Sequence, residues 1–82
     1  MLLIVNDIIY LEATIRGNES GHTFLWEQIE GVAQTITQTT NTQAYFTRNT
    51  TGSDLVFRYW IDKGRLNEQF EDMIIQHSYI KL

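Results

Sequence analysis

The sequence predicts an α+β fold: a two-layer sandwich in which a four-stranded, mainly antiparallel sheet carries two helices on one face. Three observations point there. Leu55-Val56-Phe57-Arg58-Tyr59-Trp60-Ile61 is an unbroken run of β-formers holding a single charge. Residues 24–38 and 66–80 each place apolar side chains at helical spacing. Strand-like runs precede each of these segments in pairs, which gives the order ββαββα, or a ferredoxin-like βαββα if the first pair is one bent strand.

Taken in order, Leu2 to Val5, Asn6-Asp7 and Ile8 to Arg16 read as a hairpin with a two-residue turn. In that register Leu2, Ile4, Ile9, Leu11, Ala13 and Ile15 form the better core face. Leu3, Val5, Ile8 and Tyr10 make the other face apolar over its first half, before Glu12, Thr14 and Arg16 turn it polar. Gly17 to Gly21 is a loop by composition, and Thr23 is placed to cap the first helix. Leu25, Ile29, Val32, Ala33 and Ile36 supply that helix with an apolar stripe, and the threonines of 35–42 end it near Gln38.

Gln43 to Arg48 is the third strand, and Asn49-Thr50-Thr51-Gly52 turns it into the fourth, Leu55 to Ile61. That hairpin pairs Phe46 with Val56 and Tyr45 with Phe57. In the last segment Leu66, Phe70, Met73, Ile74, His77 and Ile80 recur at helical spacing, with Glu68, Glu71 and Asp72 near the expected helix start and Lys81 near its end.

A chain of 82 residues is read as a single domain, 1–82, with 43% hydrophobic and 20% charged residues, a balance that folds rather than staying disordered. It has no cysteine, so disulfides, thiolate metal sites and cysteine nucleophiles are excluded, and a reducing, cytoplasmic setting is expected. Met1 to Val5 is apolar but short and lacks a basic flank, so neither a signal peptide nor a membrane anchor is expected. The net charge of −4 argues against nucleic acid as a partner.

Few residues offer chemistry. His22 and His77 are far apart in sequence and read as a loop residue and a core histidine, so no metal site and no cofactor are expected. The five glycines are dispersed and make no phosphate loop. Glu27 with Glu30, and Glu68 with Glu71 and Asp72, read as solvated helix faces. Because the first helix carries no Lys or Arg, its Glu27 and Glu30 suit docking to a basic partner surface.

The aromatic content is the enrichment that points outward. Two helices cover one side of a four-stranded sheet, which leaves Leu3, Val5, Ile8, Tyr10, Val56, Arg58 and Trp60 for the other. Aromatics with arginine are the residues of protein hot spots, so the sequence favours a small, non-enzymatic binding or regulatory protein that associates with another protein or with itself as a homodimer. The alternative is a nucleic-acid or small-molecule module using the same aromatics. A third class, an enzyme completed by oligomerisation, would draw on Glu12, Arg16, Arg48 and Arg58.

Overall fold

The computed structural model describes residues 7–48 and 54–75, and over these the chain is all β. Six strands follow one another: β1 (Asp7–Glu12), β2 (Phe24–Glu30), β3 (Thr37–Gln38), β4 (Gln43–Arg48), β5 (Leu55–Ile61) and β6 (Gln69–Ile75). They form two three-stranded antiparallel sheets, ordered β1-β4-β3 and β2-β5-β6. The α+β expectation is therefore corrected: no described residue is helical, and the two layers are two sheets.

The strands at 43–48 and 55–61 have the expected bounds, but they are not a hairpin. Each is the central strand of a different sheet. Both carry one heavily apolar face, and stacking those faces buries them together: Phe46 and Phe57 meet with ring centroids 4.8 Å apart. The expected in-sheet pairs Phe46–Val56 and Tyr45–Phe57 are replaced by a contact between sheets. Around it Leu11, Ala44, Leu55, Trp26 and Tyr59 complete a buried core, with Ile9, Ala13, Ile15 and Met73 packed on its margin.

The segment expected as the first helix is β2, a loop and the short β3. Its apolar residues fit helical spacing, yet alternation also divides it, with Phe24 and Trp26 facing the core and Leu25 and Glu27 facing out. Non-local pairing decides between the two, since Phe24 to Gln28 lie opposite Ile61 to Phe57 of β5. Gly31 then takes a left-handed backbone, φ 100°, where a Cβ would lie 2.7 Å from both the Asp54 carbonyl oxygen and Leu55. A helix through this point is excluded by that approach.

The second expected helix is β6 as far as Ile75. Phe70, Asp72 and Ile74 alternate with Gln69, Glu71, Met73 and Ile75, and the first set pairs opposite Trp60, Arg58 and Val56. Leu66 is fully exposed in the β5–β6 connection. Glu71 and Asp72 are strand residues rather than helix-start acids. His77, Ile80 and Lys81 lie outside the described residues, as do Leu2 to Asn6 and the turn at 49–52.

In β1 the described partner is β4, with Ile9 opposite Phe46 and Leu11 opposite Ala44. Ile8 and Tyr10 point away from the core, and Ala13 and Ile15 continue the inward set. Polar ties then join the sheets at one corner. The Gln38 side chain accepts from the Trp26 backbone N–H at 3.0 Å and donates to the Phe24 carbonyl at 3.2 Å, so it pairs with the β2 edge as a strand would. The Trp26 indole N–H donates to the Thr42 carbonyl at 3.1 Å, and the Tyr59 hydroxyl donates to the Asn41 carbonyl. Burial pushes the Tyr59 phenol up to about 12.

Truncating Phe57 to alanine removes the inter-sheet contact and is expected to cost about 3–5 kcal/mol, measured as the loss in urea-unfolding free energy. Gly31→Ala is expected to destabilise by about 1–3 kcal/mol through its backbone conformation and the Asp54–Leu55 approach. The same substitution at Gly21, where no atom lies within 4 Å of the added carbon, loses only the conformational part and is the matched control.

Candidate functional site

The outer face of the β2-β5-β6 sheet carries three cross-strand rows. Leu25, Trp60 and Phe70 make the first, Glu27, Arg58 and Asp72 the second, and Glu30, Val56 and Ile74 the third. A β-bulge between Gln28 and Glu30 returns Glu30 to this face, opposite Val56. Phe70 is 48% exposed and Ile74 62%, beside a Trp60 that is only 8% exposed.

Among the described residues, Trp60 is covered by its neighbours in the sheet. Phe70 tilts against it at 5.0 Å between centroids, the Arg58 guanidinium carbon lies 5.3 Å from its ring and the Lys63 ammonium 4.8 Å. Arg58 lies closer still to Phe70, at 3.9 Å from the ring centroid. The guanidinium is held there by a two-point pair to Asp72, at 2.7 and 3.0 Å. Glu27 accepts from the Trp60 indole at 2.8 Å and from Lys63 at 3.0 and 3.1 Å.

These contacts set the charges. The bonds from Lys63 first, then Trp60, hold Glu27 below the ordinary carboxylate range, and Arg58 does the same for Asp72. The Asp72 carboxylate in turn raises Arg58. The face thus has a central charged row, in which Arg58 is paired with Asp72 and Glu27 with Lys63, between two rows that carry the apolar residues.

Of the residues the sequence singled out, Val56, Arg58, Trp60, Glu27 and Glu30 share this face. Glu27 and Glu30 do so as strand residues, so the acidic helix surface expected of them does not exist. Glu27 is engaged with Lys63 and Trp60 and is not a free acidic docking group. Ile8 and Tyr10 lie on the outer face of the other sheet, where Tyr10 pairs with Tyr45 at 6.4 Å between centroids. Because the sheets stack by their inner faces, the expected single apolar surface is split onto opposite sides of the sandwich. Leu3 and Val5 lie outside the described residues.

Glu12, Arg16, Arg48 and Arg58, the residues considered for a shared site, do not converge. Glu12 and Arg16 line a groove of about 590 Å³ between residues 12–16 and β6. Arg58 belongs to the outer face, and Arg48 is buried opposite Asp7 at the other end of β4. Leu25, Phe70, Asp72 and Ile74 are missed by a helical period over residues 24–38 and 66–80, and Lys63, in the β5–β6 connection, reaches this face only through the fold. The alternation of Phe70, Asp72 and Ile74 was the signal that places them.

A second polar cluster centres on Asp62, which is buried and has a left-handed backbone, φ 55°. Its carboxylate accepts from the Thr23 backbone N–H at 3.0 Å, His22 Nδ1 at 2.6 Å, Asn67 Nδ2 at 2.9 Å and Arg65 at 3.3 Å. A carboxylate only accepts, so His22 carries its proton on Nδ1. The His22 bond first, then the Thr23 bond, hold Asp62 below the ordinary carboxylate range. An imidazole oriented by a carboxylate needs a reacting group beside it to be catalytic. Here the donors clasp the start of β2 to the β5–β6 connection, whose turn Arg65 N–H closes onto the Asp62 carbonyl at 3.0 Å.

Among the described residues no group of three or more histidine or carboxylate side chains is placed to hold a metal ion, and no helix is long and apolar enough to cross a membrane. No family model, curated protein or solved structure matches the chain.

Because the folded-state pKa of Asp62 is lowered, its contribution to stability is complete above the ordinary value of 3.8 and is lost as pH falls through the lowered one. Asp62→Asn keeps a side chain that tolerates the left-handed backbone but lacks the charge, whereas Asp62→Ala lacks every acceptor. Urea midpoints at neutral pH are expected in the order wild type, Asn variant, Ala variant. The gap between wild type and Asp62→Asn should narrow in acid; a gap that stays constant between pH 7 and acid would show that the charge is not what Asp62 contributes.

Proposed function

We propose that this protein is a small, non-enzymatic binding protein that seats another protein on the outer face of its β2-β5-β6 sheet. The observation that carries this reading is the exposure of Phe70 against a Trp60 already packed and oriented by Arg58, Lys63 and Glu27, with Ile74 exposed two rows along the same face. A buried aromatic anchor, a paired arginine and exposed apolar neighbours are the composition of interface hot spots. Ordering these side chains in the free chain lowers what association must spend in conformational entropy.

The same details favour protein over nucleic acid. Base stacking needs open ring faces and unneutralised cations, whereas Arg58 lies over Phe70 and each cation is matched by Glu27 or Asp72. With no cysteine in the chain, we place the protein in the cytoplasm.

Ile74→Ala removes mostly exposed atoms, so its unfolding midpoint is expected to move little while partner affinity falls about tenfold or more; Phe70→Ala also uncovers Trp60 and is expected to lower the midpoint as well as the affinity. Partners captured on the wild-type chain are to be identified, purified and titrated against both variants by calorimetry. Light scattering on the isolated chain shows whether the occupant is a second copy. Unchanged affinity in both variants would remove this face as the binding surface, and quenching of tryptophan fluorescence by single-stranded RNA at low salt would favour the nucleic-acid reading instead.

A further inference from the structure

The groove between residues 12–16 and β6 is a second, independent feature, on the other side of the sheet from the face just described. Its two walls are unusual in composition: residues 12–16 line one and residues 69–73 the other, five consecutive residues each. A side-chain face would contribute alternate residues only. Phe70 and Asp72 direct their side chains to the outer face, against Trp60 and Arg58, yet they border the groove as well. The groove therefore reaches the backbone edge of β6.

That edge has no ladder partner among the described residues, because β6 ends the order β2-β5-β6. In an antiparallel edge strand, half of the backbone N–H and C=O groups point away from the neighbour and can receive another strand. The opposite edge differs: at β2 the Gln38 side chain already occupies the Trp26 N–H and the Phe24 carbonyl. Residues 13–16 alternate in burial as an extended chain does, with Ala13 and Ile15 against the core and Thr14 and Arg16 exposed.

The floor and the charges say what would fit. Trp26, Tyr59, Ile61 and Met73 offer an apolar and aromatic floor. On the β6 wall Glu71 lies opposite Tyr59 and is exposed, Glu12 stands on the other wall, and Arg16 is the cation lining the groove. Pairing of β6 with a second copy about its centre sets Asp72 opposite Asp72, and a one-residue shift one way sets Glu71 opposite Asp72, both like-charge pairs, while the shift the other way has none. What favours another protein is the acidic lining from Glu12 and Glu71, which a basic strand complements and a second acidic β6 does not.

We propose that the groove is a strand-addition site that takes an extended peptide of another protein on the β6 edge, one with alternating apolar and basic side chains. The peptide backbone pairs with β6, its apolar side chains rest on the Trp26–Tyr59 floor, and a basic side chain faces Glu71. Five residues of wall correspond to about 16 Å of extended chain.

The test uses the full chain, followed by amide chemical shifts, with three synthetic heptapeptides. One alternates valine and lysine, one alternates valine and glutamate, and one is the lysine peptide N-methylated on the amides that would face β6. The lysine peptide is expected to shift amides of residues 12–16 and 69–73, and the glutamate peptide to bind at least about fivefold more weakly. N-methylation should abolish binding by removing the ladder donors. Glu71→Gln, at an exposed position, should weaken the lysine peptide about three- to tenfold with the fold intact, and the difference should shrink with salt.

Equal binding of the N-methylated peptide, or no shift at millimolar peptide, overturns the proposal. So does a concentration-dependent shift of the same amides without peptide together with a dimer mass, which would make a second copy the occupant. Ile74→Ala leaves the groove intact and should not alter peptide affinity, so this site and the outer face fail or stand separately.

Discussion

The packing of Phe57 on Phe46 makes two three-stranded sheets into one molecule. Neither sheet has a layer of its own to cover its apolar face, and three strands are close to the smallest sheet that can persist. Each therefore serves as the other's cover. The remaining core residues, Leu11, Ala44, Leu55, Trp26 and Tyr59, extend this one contact along the inner faces. The polar ties at Gln38, Thr42 and Asn41 lock the corner where the chain passes from one sheet to the other.

Committing the inner face of β5 to the core leaves Val56, Arg58 and Trp60 on the outside with no second layer among the described residues. The structure resolves this within the sheet. Asp72 and Glu27, from the strands on either side, take opposite ends of the local charge, and Phe70 gives the guanidinium a surface to lie on. Arg58 interrupts an apolar strand and also orders the aromatic cluster by lying against Trp60 and Phe70. What stays exposed is the part that β6 adds, Phe70 and Ile74.

The placement of β6 depends in turn on Asp62. Its carboxylate draws together His22, Thr23, Arg65 and Asn67, which fixes the connection between β5 and β6 against the start of β2. With that connection set, β6 has its outer residues beside Trp60 and Arg58, while its edge borders the groove with residues 12–16. A buried carboxylate thus positions both of the surfaces proposed for partners. Nothing in the local sequence around Asp62 distinguishes it from an ordinary turn residue, because two of its four partners, His22 and Thr23, are brought near only by the fold.

Some of this was determined by the sequence alone. The strands at 43–48 and 55–61 were legible because β-formers fill both of their faces, and the core face of residues 9–15 was legible because its alternation is clean. The outward set Val56, Arg58 and Trp60 followed from the same period. Tertiary structure decided the rest. In residues 24–30 and 69–75 the apolar residues satisfy a helical and an extended period equally well, and the choice is made by ladders to β5 that join residues from 8 to 37 positions apart. Whether Phe46 and Phe57 lie side by side in one sheet or face each other across two is likewise invisible to a local pattern. Periodicity records how a segment divides its own faces, but which strand covers a face is set by contacts distant in sequence.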